Sequence, residues 1–393
     1  MDRKSLLLAN IWKIKLMQAL LGCFFIVPIV VLFWQDNGLN IFDITVLQSL
    51  FSLAVVILEI PTGYFADLFG RKKTLVLSGI FMTAGIIVYS LGHNFIEFLA
   101  AEILLAFGIS LLSGADSALL YDTLKELKRT EEFNKIYGRS VFFNLSALTL
   151  ANIAGGLIAK FDLRLTFYLT IPFFALLIPV NLSLVEPKRR NIIHGKEYVR
   201  TLLNILKYTY KTKKLRHLIT YYGIIFGFNG AILWLYQPYL KIIGIDIALF
   251  GFVFALFQLT AAISSNYSHV IEKTFGMKKS LTAMVIIVSA SYFLMGNIIF
   301  PLGFLFALLQ QFTRGYSKTV FSDYVNKLTG SEKRATVLSI QNLFARVMYA
   351  IIIPIIGFTA EKTSVIAAIN ILGIATLVFG GAFLFVLKKD KII

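Results

Sequence analysis

The chain has 393 residues, of which 58% are hydrophobic and 15% charged, and 38 basic against 21 acidic residues give a formal net charge of +17. A soluble globular domain is about 45–50% apolar and about 25% charged, so the composition excludes an ordinary soluble fold, including a soluble nucleic-acid-binding protein. One cysteine and four scattered histidines exclude a disulfide framework and a zinc site. The composition therefore favours an integral membrane protein without a metal.

Twelve apolar stretches follow one another along the chain, and each is long enough to cross the hydrocarbon core as a helix. They lie near residues 14–34, 44–66, 74–92, 95–119, 138–159, 164–185, 218–240, 248–268, 280–298, 302–323, 335–359 and 364–387. The apolar runs are continuous and do not alternate, which favours helices over barrel strands. The first stretch is too long for a removable signal peptide and lacks a cleavage site. We therefore predict an all-α polytopic membrane protein with twelve transmembrane helices.

The basic residues predict the orientation. Thirty-two of the 38 fall in segments on the side of the amino terminus, four fall on the other side, and Arg314 and Arg346 lie within spans. Cytoplasmic loops carry an excess of lysine and arginine. Both termini are therefore expected in the cytoplasm, in a multi-pass plasma-membrane protein, with a bacterial inner membrane as the expected location. The same rule explains the basic charge without a nucleic-acid partner.

The longest polar segment divides the chain almost evenly. We predict an amino-terminal six-helix half at 1–186, a basic cytoplasmic linker at 187–216 and a carboxyl-terminal six-helix half at 217–393. Within the linker, residues 198–206 are expected to form a short amphipathic helix on the anionic lipid surface, with Arg200 and Lys207 toward the headgroups.

The second half repeats features of the first. An ungapped shift of 206 positions places residues 38–41 on 244–247 and residues 69–75 on 275–281, and a weaker match at a shift of 201 places 114–122 on 315–323. Parallel repeats of half the chain are typical of transporters whose two halves rock around a central site. The repeat therefore predicts two pseudo-symmetric six-helix halves.

The loop between the second and third spans reads Gly-Tyr-Phe-Ala-Asp-Leu-Phe-Gly-Arg-Lys-Lys over residues 63–73. This segment resembles the loop signature of the major facilitator superfamily, and with the twelve spans, the half repeat and the linker the resemblance covers the whole chain. The resemblance implies the major facilitator fold and a monomeric secondary active transporter that works by alternating access. It also implies a small-molecule substrate and no cofactor, since a proton gradient would drive transport.

Elementary physical chemistry explains several residues of this loop. Gly63 allows two helices to approach, Gly70 permits a tight turn, and Asp67 requires a basic partner, for which Arg71 is the nearest candidate. By resemblance, these residues with Lys72 would form a latch that holds the cytoplasmic helix ends together in the outward-facing state. The alternative is that the basic residues serve only to set the topology.

The sequence departs from the drug/proton antiporters of the superfamily. Leu104 stands where those proteins usually carry an arginine in the fourth span, and residues 147–156 keep only the final glycine pair of their fifth-span signature. Export is therefore an expectation without a supporting signature. The sequence contains no catalytic motif that would support a membrane-embedded enzyme. It also contains no phosphate-binding Gly-x-x-x-x-Gly-Lys-Ser/Thr segment, which excludes an ATP-driven pump.

Charged residues inside spans point to mechanism, because each costs a few kcal/mol unless it is paired or hydrated. Glu59 lies in the second span, and Glu102 and Asp116 in the fourth, fourteen positions apart and so on one face of a continuous helix. These three carboxyl groups are the candidates for proton coupling, with Glu102 or Asp116 favoured. The alternative for Asp116 is a structural salt bridge with a residue such as Arg139.

Two arginines are the candidates for an anionic group of the substrate. Arg314 lies four positions after Gln310, and Arg346 four after Asn342, so each pair shares a helix stripe. The alternative for Arg314 is a salt bridge with a residue such as Asp323.

On the seventh span, further substrate-binding candidates are Asn229, Trp234 and Gln237. In the resembled family, spans 1, 2, 4, 5, 7, 8, 10 and 11 line the central cavity, and every intramembrane charge belongs to that set. We predict proton-coupled efflux of a drug-like or metabolite molecule; the alternative is proton-coupled uptake of an organic anion held by Arg314 and Arg346.

Overall fold

The computed structural model describes residues 2–188 and 196–393, and every regular element in them is helical. The α-helices are α1 (Arg3–Gly22), α2 (Val30–Asp36), α3 (Ile41–Phe69), α4 (Arg71–Leu91), α5 (Phe95–Leu112), α6 (Ala115–Glu126), α7 (Phe133–Ala159), α8 (Leu165–Ala175), α9 (Leu177–Leu182), α10 (Lys196–Lys211), α11 (Lys213–Ala231), α12 (Tyr236–Ile242), α13 (Ile247–Asn297), α14 (Ala307–Leu328), α15 (Ser331–Lys362) and α16 (Val365–Lys389). Short 3₁₀ helices lie at Thr130–Glu132, Ile232–Trp234 and Pro301–Phe306. The predicted all-α fold is confirmed.

Each of the twelve predicted spans falls on helical residues, but several spans are broken. Eight helices of the described chain are long and apolar enough to cross a membrane, or nine if the bent pair Lys213–Trp234 and Tyr236–Ile242 forms one span. Helix α13, with 51 residues, contains the eighth and ninth predicted spans. The two spans meet at Gly276, where the backbone leaves helical geometry. The count is below twelve because α13 is counted once for two predicted spans, the seventh span is the bent pair, and the first and tenth predicted spans are not among the eight.

The backbone carries the repeat seen in the sequence. Gly38 and its counterpart Gly244 have φ values of 86° and 80°, and Gly70 and its counterpart Gly276 have values of 107° and 72°. Residues with side chains rarely adopt this left-handed region, whereas glycine adopts it without a steric penalty. The same two turns are therefore built in the same way in both halves.

The chain groups into two compact units. The first contains Met1–Leu39, Leu53–Ile192 and Asp246–Ala255, and the second contains Asn40–Ser52, Ile193–Ile245 and Leu256–Ile393. The first turns of the second and eighth spans thus group with the opposite half of the sequence.

Close helix contacts explain why the starts of these two spans group with the opposite half of the sequence. In the second unit, the Ser49 hydroxyl donates to the Ala350 carbonyl at 2.6 Å. In the first unit, Gly251 packs so tightly on α7 that an added Cβ would lie 2.0 Å from the Asn152 carbonyl oxygen. Only a glycine allows two helix backbones to come this close.

The linker contains helix α10, which is longer than the predicted segment 198–206. Ile205 is buried in an apolar cluster with Leu215 and Val337, and Lys207 is exposed. One face of α10 therefore packs on the second unit, because its buried apolar residue lies against α11 and α15. The side chain of Arg200 lies outside the described residues.

Candidate functional site

The second unit encloses a cavity of about 390 Å³. Volumes of about 300–1,000 Å³ are usual for small-molecule sites. The walls come from the start of α3, from α11 and the 3₁₀ turn that follows it, from Tyr236 at the start of α12, and from α14 and α15. The lining residues are Gln48, Phe51, Ser52, Tyr222, Phe226, Asn229, Gly230, Leu233, Trp234, Tyr236, Gln311, Arg314, Ser317, Lys318, Arg346 and Tyr349.

Three cations line this cavity, and none of the described lining residues is acidic. Arg314 donates to the neutral side-chain amide of Gln258. Among the described residues, the side chains of Lys318 and Arg346 have no hydrogen-bond or ion-pair partner. Unpaired cations at membrane depth are costly and usually face a polar cavity or a functional ligand. The cavity is therefore electrostatically suited to an anion.

Three aromatic residues of the wall, Trp234, Tyr236 and Tyr349, have their polar atoms engaged in hydrogen bonds within the protein. The indole nitrogen of Trp234 donates to the Tyr349 hydroxyl at 2.5 Å. The Tyr236 hydroxyl donates to Gln310 Oε1 at 2.5 Å and accepts from Gln311 Nε2 at 2.9 Å. Aromatic walls pack well against planar apolar groups. The cavity therefore has cationic side chains that can bind an anionic group and an aromatic surface that can pack against a ring.

Four of the seven predicted substrate-binding residues come together here: Asn229, Trp234, Arg314 and Arg346. The alternative for Arg314, a salt bridge with Asp323, is wrong within the described chain, where Asp323 pairs with Lys327 at 2.6 Å.

The other three predicted residues do not line the cavity. Gln310 and Gln237 are almost fully buried, and Asn342 is exposed. Gln310 lies behind the wall, where its backbone oxygen accepts from Asn229 Nδ2 at 3.2 Å. Its part is to position wall residues.

Lys318 is a cavity residue that the sequence patterns do not predict, because a lysine near the end of a span usually marks only the cytoplasmic side. It lies four residues after Arg314, so both occupy one stripe of α14, and that spacing was the available signal. Gln48 and Ser52 were also missed, because no local pattern shows that the start of α3 packs in the second unit.

Glu102 is buried in the first unit beneath aromatic rings. The Tyr89 hydroxyl donates to Glu102 Oε1 at 2.5 Å. The ring of Tyr89 stacks on Phe98 and Phe167, with centroid distances of 5.6 Å in both cases. This carboxyl group is therefore sealed from bulk water and held by a neutral donor.

Asp116 lies just after a helix break. Gly114 has a φ of 76° and separates α5 from α6, so the prediction that Glu102 and Asp116 share one continuous helix face is wrong. Asp116 accepts from Gln18 Nε2 at 2.8 Å. It forms no ion pair with the exposed Arg139 within the described chain, so that alternative is also wrong.

Glu59, the third predicted proton-coupling residue, lies on α3 two residues before Pro61, and its side chain is half-buried and engaged by the protein. The carboxyl groups proposed for coupling therefore occupy three separate surroundings.

Asp67 and Arg71, two of the residues predicted to form the latch, belong to an ion-pair network in the first unit. Arg71 Nη2 lies 3.9 Å from Asp67 Oδ1, but its Nε lies only 3.1 Å from Asp122 Oδ2. Asp122 is thus the nearer partner. Gly63 lies inside α3, and Gly70 makes the turn with its positive φ.

Glu186 completes this network. Its carboxylate accepts the backbone N–H groups of Arg71 and Lys72 at 3.0 and 2.7 Å, at the amino terminus of α4. A carboxylate there satisfies otherwise unpaired donors and the helix dipole. Sequence reasoning missed Glu186, because a cap from 115 positions away has no local signature.

The end of α16 is tied to the start of α11 by a second charge cluster. Lys213 Nζ lies 2.7 Å from Asp390 Oδ1, and His217 Nδ1 lies 3.1 Å from Asp390 Oδ2. The hydrogen bond from Lys213 lowers the pKa of the Asp390 carboxyl below its ordinary value.

Comparisons with known proteins agree with this architecture. Residues 16–295 match the family described as Major Facilitator Superfamily. The chain is 22% identical over 351 residues to the uncharacterized MFS-type transporter YxaM of Bacillus subtilis, covering 85% of this chain and 86% of that protein. It is 22% identical over 175 residues to the quinolone resistance protein NorA of Staphylococcus aureus, covering 44% of each chain.

Solved structures show the same fold. The structure of the nucleoside transporter NupG superposes with a TM-score of 0.78 at 13% identity and covers 98% of this chain and 99% of its own. The family match extends over most of the sequence, and the helices carry the repeat that the family fold requires. The chain is therefore a multi-pass membrane transporter that belongs to the major facilitator superfamily.

Proposed function

We propose that this protein exports small organic anions that carry an aromatic ring, in exchange for protons, by alternating access. The observation that carries the substrate class is the cavity of about 390 Å³ with Arg314, Lys318 and Arg346 on its wall and no acidic residue among its described lining. A carboxylate, sulfonate or phosphate group would supply the missing counter-charge, and guanidinium groups bind such oxygens with directed hydrogen bonds. The aromatic wall would hold the ring.

Proton coupling is assigned to the first unit. Glu102 and Asp116 are buried carboxyl groups that accept hydrogen bonds from the neutral side chains of Tyr89 and Gln18. Burial in a low-dielectric interior favours the neutral form of a carboxyl group, so a buried carboxyl can take up a proton that a hydrated one would release. Glu102 is the favoured proton carrier, and Glu59 is the third candidate.

The direction of transport is supported by similarity to NorA, since resistance conferred by a membrane transporter implies export. Uptake by proton symport is the second candidate, because Leu104 stands where drug/proton antiporters usually have arginine. Both directions use the same anion cavity. In either case, the protein is expected in the bacterial inner membrane with both termini in the cytoplasm, as the basic loops indicate.

The test uses the purified chain in liposomes with an imposed pH gradient and two ring compounds of fixed charge. Naphthalenesulfonate is a permanent anion and trimethyl(naphthylmethyl)ammonium is a permanent cation, so neither crosses the bilayer by changing its protonation state. We expect the sulfonate to accumulate in vesicles with an acidic lumen and the ammonium compound to stay outside. Preferential movement of the ammonium compound would overturn the substrate class.

The same assay separates the two directions. Accumulation of the sulfonate only when the external medium is acidic would replace antiport with symport. Accumulation that ignores the pH gradient would contradict proton coupling. Glu102→Gln serves as the coupling variant, because its amide oxygen still accepts from Tyr89.

A further inference from the structure

A second cavity in the second unit is almost entirely apolar and lies apart from the site described above. It has a volume of about 210 Å³ and is bounded by both arms of α13, on either side of Gly276, and by α14. Ile271 and Phe275 come from the first arm, Ala283 and Ile287 from the second. Because Phe275 is 57% exposed, the groove opens to the outside of the helix bundle.

The groove and the anion cavity use opposite sides of α14. Thr313 and Tyr316 face the groove, whereas Arg314 and Ser317 face the anion cavity. Residues three apart share a helix face and adjacent residues do not. No described residue lines both, so the groove is a separate feature.

Polar atoms inside the groove are already bonded. The Tyr316 hydroxyl donates to the Ser280 hydroxyl at 2.7 Å, and the Thr313 hydroxyl donates to the Leu309 carbonyl at 3.1 Å. The interior therefore suits a hydrocarbon chain.

Positive charge is concentrated at one end of the groove. Lys279 lines the groove, and Lys273 and Lys278 are exposed on either side of the break at Gly276. None of these three lysines has an ion-pair partner among the described residues. From Lys279 to Ile287 the helix rises about 12 Å, close to the depth of one leaflet's hydrocarbon, which is about 15 Å. The groove thus has a charged entrance and an apolar length that match one lipid molecule.

We propose that this groove binds an anionic phospholipid of the cytoplasmic leaflet. One acyl chain lies along Phe275, Ala283 and Ile287, and the phosphate-bearing headgroup lies against Lys278 and Lys279. Lysines near an anionic membrane surface attract such headgroups, and basic pockets between transmembrane helices are known to hold them. The lipid would brace the two arms of α13 at their break.

Native mass spectrometry of the full chain tests the charged end of the site. Purified protein is titrated with phosphatidylglycerol and, separately, with phosphatidylcholine of the same acyl chains. We expect tighter binding of phosphatidylglycerol, and Lys278→Gln with Lys279→Gln should weaken that binding about 30-fold. The matched control is Lys388→Gln with Lys389→Gln, which removes the same charge from an exposed site at the end of α16 and should change binding less than about threefold.

A second pair of variants tests the apolar part. Ala283→Phe fills the groove and should abolish the tight site, whereas Ile286→Phe adds the same ring at a neighbouring position that is 56% exposed and does not line the groove. Equal binding of the two lipids, equal loss in both lysine pairs, or unchanged binding in Ala283→Phe would each overturn the proposal.

Discussion

Replacement of Arg346 by glutamine tests whether the second-unit cavity binds an anion. The guanidinium has no hydrogen-bond or ion-pair partner among the described residues, and it faces a cavity that also contains Arg314 and Lys318. A hydrogen bond to a charged group contributes about 1.5–3 kcal/mol. We therefore expect Arg346→Gln to weaken binding of naphthalenesulfonate about 10- to 150-fold.

The same variant should not destabilise the unliganded protein. Removal of Arg346 leaves no carboxylate of the described residues unpaired, and repulsion from the two other cations decreases. The expected change in melting temperature is therefore zero or a small increase. A structural arginine would behave differently, since its loss would lower both binding and stability.

Isothermal titration calorimetry of detergent-purified protein measures the affinity, and differential scanning fluorimetry measures stability. The matched control is Arg334→Gln, which removes an exposed arginine from the same helix α15, outside the cavity. Equal affinity of Arg346→Gln and wild type, or an equal loss in Arg334→Gln, would refute the assignment of Arg346 to the anion.

Three further predictions concern the rest of the fold. Glu102→Gln should abolish accumulation driven by the pH gradient while sparing counterflow exchange in liposomes, because the amide cannot carry a proton but still accepts from Tyr89; loss of both would indicate a structural role. Gly251→Ala should lower the melting temperature, because the added Cβ would lie 2.0 Å from a carbonyl oxygen and overpacking typically costs about 1–3 kcal/mol. The control is Gly381→Ala, whose added Cβ would have nothing within 4 Å and should leave the melting temperature unchanged. Asp390→Asn should reduce stability at neutral pH: the pKa of this carboxyl is lowered by its lysine partner, so the stabilisation is present above the unfolded value of about 4 and disappears as the pH falls through the folded pKa. Melting curves that show the same Asp390→Asn deficit at all pH values would contradict this.

Local sequence patterns predicted much of the site as well as the fold. Arg314 and Arg346 were identified because a charge in an apolar run has few explanations other than function. Lys318 was missed because it lies near the end of its span, where a lysine usually marks only the cytoplasmic side. The difference is the direction of the side chain, which the sequence does not show.

The length of the apolar runs and the 206-residue repeat determined the helical class and the turns at Gly70 and Gly276, and they predicted the positions of the spans. The distribution of lysine and arginine predicted the orientation. These features depend on neighbours in the chain or on the uniform requirements of the bilayer. Only the tertiary structure decided that Glu186 caps α4, that Gly114 breaks the fourth span, and that the start of α3 joins the second unit. Those contacts join residues up to about 300 positions apart, and their energies depend on how helices pack, which no local pattern encodes.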